Sequence, residues 1–489
     1  MGAAKAEARA LLTLSWPIFA SGVAEAGMST VAALFLGRDP NAALLGGAYV
    51  AISVFNVIAL SPMTGLSSAV STLAATAIGA GEAHKVGAYV QLGVAVNWTF
   101  VGVLMVALIG WPAPILRLVL SGGQPRVAAV AVSYLRLYSL ALLPYAVMDP
   151  IQRALMAQSV SWPIAVSSAV AMLSNVVLHA VLVVAAGGGA VGSAAASALA
   201  AMLQLGVLAG LVRLIGLGPT VWGGWSPRAA ATAARSYVRL ALPGAAVLVA
   251  EWWALEMTTL FMARAGDAQA LAAHVVAMNV AFLCYMAPVS VGMAVMTRVG
   301  NALGGASPAG ACRACWVAVA LGASAGGTAA VVLLGGRSIW PRLYSANGVV
   351  VGLLRGVAPA VAAFVAADAV LAIFGRVLRG SGRQRLGAAI YLVGYWGGVL
   401  PLASWLASSA DSAEGGRVRL GGALAGMWTG LAVGKAGLVG VMAAVAVRTD
   451  WEEQSLRALR RLGIATSLTV ASPGTGGEAP VGYGSLNGS

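Results

Sequence analysis

Between Leu11 and Leu36 the chain carries one charged side chain, Glu25. A helix needs about 20 consecutive, mainly apolar residues to cross a bilayer, and this run is long enough. Eleven more follow, at 44–79, 87–111, 127–157, 160–186, 190–215, 236–264, 269–304, 310–335, 348–379, 385–409 and 420–447. Inside hydrocarbon every backbone polar group must be satisfied by the segment itself or by a closed sheet, so runs of this length are helices. The pattern therefore predicts an all-α integral membrane protein with twelve transmembrane helices. Composition agrees. Charged residues make up 9% of the sequence and hydrophobic residues 60%, whereas a soluble domain carries about 25% charged residues. Pro17, Pro62, Pro144, Pro243, Pro288 and Pro401 fall inside these runs. Each removes a backbone hydrogen bond and permits a bend.

The net charge of +14 reads as a topology signal rather than a nucleic-acid surface. Of the 29 lysines and arginines, 18 lie on the side of the N-terminus, ten on the other, and Lys435 falls inside the last run. Basic residues favour cytoplasmic loops, which predicts both termini in the cytoplasm. No metal site is expected. Cys312 and Cys315 form a lone CxxC, and His84, His179 and His274 are far apart in sequence, whereas a structural zinc takes four ligands. The first run exceeds a signal-peptide core and is expected to remain a span. The Gly/Ser/Thr-rich tail after Leu462 reads as disordered.

The chain repeats itself. LSWPIFAS around Pro17 answers LALPGAAV around Pro243, STLAATAIGAG (71–81) answers MTRVGNALGGA (296–306), and RALMAQS (153–159) answers RVLRGSG (376–382). The second match pairs Thr72 with Thr297, Ala77 with Ala302 and Gly79 with Gly304. Six spans separate the copies, so the halves share one orientation. A parallel repeat of this kind places a substrate path between two six-helix bundles. The expected division is a first bundle over 1–225, a second over 226–465 and a disordered tail over 466–489.

An ionisable residue within a span marks a candidate functional site, the alternative being a carboxyl that ties helices together. Glu25, Asp149, Glu251, Glu256 and Asp368 fall within or at the edges of spans. Asp149, beside Pro150, reads as a helix-end residue. Glu251 and Glu256 are five residues apart, about 140° around a helix, so they cannot both face one cavity squarely. Asn56, Thr72, Gln152, Asn175 and Asn279 either line a cavity or bond between helices. Trp252, Trp253 and Tyr285 either stack on a cation or pack.

Several stretches, in order, resemble the MATE (multidrug and toxic compound extrusion) family, its eukaryotic branch in particular. In the first half these are GLSSAVSTLAATAIGAGEAHKVG (65–87) and PIQRALMAQS (150–159). In the second they are EWWALE (251–256), YMAPVSVGMAVMTRVGNALGGA (285–306), VLRGSGRQRLGAAIYLVGYWGGVLP (377–401) and GMWTGL (426–431). The resemblance implies twelve helices in two pseudo-symmetric bundles and an alternating-access antiporter. Such a protein expels organic solutes, often amphipathic cations, against protons or, in some members, sodium. It implies coupling carboxylates at Glu251, Glu256 and Asp368; the substrate-cavity candidates are Asn56, Thr72, Asn175, Trp252, Asn279, Tyr285 and Tyr391. The sequence departs from the family pattern in places. Asn279 stands where animal relatives have a glutamate, Ser71 where DTL is common, and Tyr391 in the GAxxN pattern; of three spaced asparagines in the fifth helix only Asn175 remains, with Met172 and His179 at the others.

The expected partners are a small organic substrate and the bilayer, with the chain acting as a monomer in the plasma or vacuolar membrane. No cofactor is implied. The coupling ion is the proton, with sodium as the alternative. Two other readings remain: an organic-anion or citrate exporter of the same fold, with Arg136 and Arg153 as anion contacts, and a lipid-linked oligosaccharide flippase. The flippase would favour a basic cavity, whereas the second half's buried charges read as mainly acidic. An enzyme is not expected, since HExxH and a phosphate-binding glycine loop are missing from the sequence.

Overall fold

The computed structural model describes residues 2–37, 42–119, 125–264, 267–412 and 422–464. Among the described residues twelve helices are long and apolar enough to cross a membrane: α1 (Gly2–Leu36), α2 (Ala43–Gly79), α3 (Ala83–Gly110), α4 (Pro125–Ala157), α5 (Trp162–Ala185), α6 (Gly189–Leu214), α7 (Pro227–Arg264), α8 (Ala268–Gly304), α9 (Pro308–Gly335), α10 (Gly348–Gly380), α11 (Gln384–Ser409) and α12 (Gly422–Val447). These are the twelve runs read from sequence, several lengthened at polar ends. The expected disordered tail, 466–489, lies outside the described residues.

Two helices widen into π turns just ahead of a proline: α2 at Asn56–Leu60, before Pro62, and α11 at Tyr395–Val399, before Pro401. A proline has no N–H to give the preceding turn, and single π turns inside α-helices recur at functional sites. The π turn of α11 carries Tyr395 into the site described below.

The helices form two bundles, α1–α6 and α7–α12. One apolar core, from Val247 to Ala446, draws only on the second half; another, from Leu36 to Ala201, draws only on the first. A short amphipathic helix, α13 (Trp451–Arg461), follows the last span. Asp450 caps it by accepting from Glu453 N at 3.0 Å, and Glu452 and Glu453 at its start complement the helix dipole. It packs back beneath the second bundle. Ser455 Oγ donates to Leu303 O at 2.9 Å and Arg461 Nη1 to Gly382 O at 3.2 Å. Burial pulls the Arg461 guanidinium down to about 10.

The bundles meet tightly at the end that carries α13 and the start of α1. There α2 crosses α8 with no room for side chains. A Cβ on Gly79 would collide with the backbone oxygen of Asn301, and one on Gly304 with that of Thr76. Adding 225 to 79 gives 304, and adding 225 to 76 gives 301. The two contacts are thus one contact repeated about a pseudo-two-fold axis, at the offset of the internal repeat. Small residues let helices approach this closely in lipid.

Other bonds fasten the same end. Arg298 holds Glu7 through two parallel bonds, Nε to Oε1 and Nη2 to Oε2, each 2.8 Å. Asn301 Nδ2 donates to Ala157 O at 3.2 Å, and Lys85 Nζ to Leu462 O at 3.0 Å. Thr72 belongs to this seam. Fully buried, it donates to Arg379 O at 2.7 Å and accepts from Gln384 Nε2 at 2.8 Å.

Candidate functional site

Four helices of the second bundle bring ionisable side chains together at mid-span. From α7 comes Glu251, 4% exposed, with Asp368 from α10 and Lys435 from α12, 7% and 0% exposed. Tyr395 comes from α11. Its hydroxyl donates to Glu251 Oε1 at 3.1 Å, and Trp396 Nε1 ties the same turn to Ala250 O at 3.2 Å. Lys435 Nζ pairs with Asp368 Oδ1. The ammonium also lies 4.3 Å from the centre of the Phe364 ring and 5.5 Å from that of Tyr395, within cation–π range. Tyr395 therefore touches both halves of the cluster: its hydroxyl meets Glu251 and its ring faces Lys435.

Two further cations lie about two and three turns beyond Asp368 along α10. Arg376 reaches the Tyr285 hydroxyl at 3.5 Å and stands 5.9 Å from that ring. Arg379 folds back onto Gly375 O at 3.3 Å. Both are buried, 7% and 6% exposed. Tyr391 stacks beside Tyr395 with ring centres 5.6 Å apart and donates to Leu371 O at 3.3 Å. The second bundle thus buries two carboxylates against three cations. The expectation of a mainly acidic interior is corrected here. Lys435 read in sequence only as a charge inside the last run, because sequence gives depth along a helix but not which neighbours surround it.

Glu256 points elsewhere. It is exposed, and its Oε1 accepts from Ser53 Oγ of α2 across the bundle boundary at 3.5 Å. Trp253 makes a parallel link, with Nε1 donating to Val57 O at 3.0 Å. That carbonyl belongs to the π turn that begins at Asn56, a partly buried residue. Trp252 and Tyr285 are also partly buried, while Asn279 is exposed and bonds to Val275 O of its own helix at 2.9 Å.

The first bundle holds a smaller polar cluster that the sequence reading left without a role. Glu25 of α1 accepts from Ser21 Oγ at 3.3 Å and from Ser168 Oγ of α5 at 3.4 Å. Gln204 of α6 donates to the same Ser168 at 2.9 Å. Glu25 nevertheless remains exposed. Deeper in, Asn175 is fully buried, and neither its amide oxygen nor its nitrogen has a hydrogen-bond partner. His179 is spent locally, on Asn175 O at 2.8 Å and Ser193 Oγ at 2.9 Å. Arg153, 4% exposed, is committed to Asp149 at 2.9 Å, Ser71 Oγ at 3.1 Å and Thr64 O at 3.0 Å. Arg136 is bound to Ile109 O at 3.1 Å. Among the described residues no group of His, Cys, Asp and Glu could hold a metal ion.

Two bundles related by a pseudo-two-fold axis, closed against each other at one end and holding buried charge inside the second bundle, define a polytopic membrane transporter. The MatE family model matches residues 17–181 and 243–405, one match in each bundle and together more than half of the chain. The chain belongs to the MATE family, and to its eukaryotic type. It is 28% identical to multidrug and toxin extrusion protein 2 of Mus musculus over 96% of this chain and 79% of that one. It is also 28% identical to protein DETOXIFICATION 49 of Arabidopsis thaliana, over 92% of this chain and 88% of that one. The crystal structure of the eukaryotic MATE transporter AtDTX14 superposes with a TM-score of 0.84 at 25% identity, covering 94% of this chain and all of that one.

Proposed function

We propose that this MATE transporter exports organic cations in exchange for protons, by alternating access, from a cytoplasm that holds both termini. The observation that carries the cationic substrate is the pair of exposed carboxylates Glu25 and Glu256. Each is hydrogen-bonded only to neutral side chains, and no ion pair reaches either among the described residues. A carboxylate without a counter-ion at an accessible place in the membrane attracts a cation. Trp252 and Tyr285 add aromatic faces. Asn56, Asn175, Asn279 and Tyr391 supply polar contact or shape, and Thr72 fastens the closed end.

Glu251 is the proton carrier in this reading. Removal from water disfavours the charged form of a carboxyl, and the Tyr395 hydroxyl supplies one donor that supports it. Open to the cytoplasm, ionised Glu251 adds to the attraction that Glu25 and Glu256 exert on the solute. Once the bundles rock and the site faces the other side, a proton arriving at Glu251 removes that charge and the solute leaves. Return of the protonated form carries the proton inward. Asp368, the other expected coupling carboxylate, is paired with Lys435 and takes no part in the cycle in this reading. The excess of lysine 18 to ten on the terminus side, counting arginines with it, supports the cytoplasmic placement. The plasma or vacuolar membrane fits a monomer of this kind.

A second reading, export of an organic anion such as citrate, draws support from Lys435, Arg376 and Arg379. One experiment separates the two. Sealed vesicles containing the purified protein are given a pH gradient and offered tetraethylammonium, a neutral solute of similar size, or citrate. Uphill movement of tetraethylammonium alone supports cation export. Uphill movement of citrate alone replaces it with the second reading.

A further inference from the structure

The Lys435–Asp368 pair is the feature that the exchange cycle leaves unused. Both partners are buried, they come from different helices, and the ammonium is further enclosed by the Phe364 and Tyr395 rings. Around the pair stand Glu251 from α7, Tyr285 from α8, Arg376 and Arg379 on α10 itself, and Tyr391 and Tyr395 from α11. Of the two carboxylates, Asp368 alone has an ammonium in contact; Glu251 has a tyrosine hydroxyl.

We propose that Lys435 is a built-in counter-cation that fills the place a mobile ion would take at Asp368, and so makes the second bundle a single-carboxylate, proton-only exchange site. The inference rests on the exchange reading above and deepens it by naming the residue that sets ion specificity. The physical reason is direct. A lone buried carboxylate needs a counter-charge, which a proton or a small inorganic cation can supply. Here the ammonium supplies it permanently, from within the chain. A sodium ion entering would have to displace Lys435 into a pocket that already holds Arg376 and Arg379, or bring two cations side by side in a medium of low dielectric. Glu251, which no ammonium or guanidinium touches, is left as the group whose charge changes through the cycle.

The test is sodium binding by the full-length purified protein, which needs no knowledge of the substrate. Equilibrium binding of radioactive sodium is measured for the wild type, for Lys435→Met and for the double variant Lys435→Met/Asp368→Asn, each first shown to be monodisperse. The wild type is expected to show no saturable binding. Lys435→Met is expected to bind sodium at least about tenfold more tightly than the wild type, and the double variant to lose that binding. The double variant, which removes both charges and so avoids an unpaired buried carboxylate, is also expected to keep proton-driven solute movement. Saturable sodium binding by the wild type that Asp368→Asn abolishes would overturn the proposal. So would a folded Lys435→Met protein that binds no sodium, or a folded double variant without proton-driven movement while the wild type retains it. Should the wild type itself show no proton-driven movement, the exchange reading fails, and the sodium measurement still decides the role of Lys435.

Discussion

Glu251 and Glu256 stand five residues apart on α7 and meet different bundles: Glu251 is buried against Tyr395 of the second, and Glu256 reaches Ser53 of the first. One helix thereby carries an enclosed carboxylate and an accessible one. In the proposed cycle the former exchanges the proton and the latter attracts the solute.

The division predicts opposite kinetic effects. Glu256→Gln should raise KM for tetraethylammonium about tenfold, the factor that about 1.4 kcal/mol carries, and leave the maximal rate largely intact. Glu25→Gln should act in the same direction. Initial-rate uptake against concentration measures this. A KM unchanged in both variants would remove these carboxylates from the solute's path.

The ion pair of Lys435 and Asp368 predicts non-additive stability. Lys435→Met alone leaves a buried carboxylate uncompensated and should destabilise the protein by about 3–5 kcal/mol, whereas removing both charges should restore most of that loss. Thermal unfolding in detergent of the two single variants and the double one reads the coupling. Additive losses would show that the two side chains do not depend on each other.

The reciprocal crossing of α2 and α8 predicts a conformational bias. Gly304→Val forces a side chain against the Thr76 backbone. Thr72→Val removes the bond to Arg379 O and leaves Gln384 Nε2 with only its longer bond to Arg379 O, at 3.3 Å. Each buried hydrogen bond lost costs about 0.5–1.5 kcal/mol. Both variants should therefore open the terminus-side seam. Distances between spin labels at Lys85 and Arg313 should lengthen in them, and an unchanged distribution would mean that the seam does not depend on these contacts.

The fold was legible because it is written in one dimension. Twelve mainly apolar runs and three repeat matches needed no knowledge of neighbours. Depth was legible too, which is why Glu251 and Asp368 could be singled out, and the angle between residues 251 and 256 anticipated that the two glutamates diverge. What surrounds a residue was not. Lys435 read as a charge inside the last span until α12 was seen to face α10. Thr72 read as a cavity residue although it is fully buried at the seam. Arg153 read as an anion contact although three partners already hold it. Glu25 had no matching motif, and its surroundings on α5 and α6 come from helices more than a hundred residues away.

The most direct test of the central claim follows protons and solute together. Purified protein in sealed vesicles, with an imposed pH gradient, is given labelled tetraethylammonium, while an internal dye reports proton movement; Glu251→Gln and a sodium gradient run alongside. The proposed cycle requires uphill solute movement with stoichiometric counter-movement of protons in the wild type, none driven by sodium, and loss of both fluxes in Glu251→Gln. Proton-driven accumulation that survives in folded Glu251→Gln would contradict it.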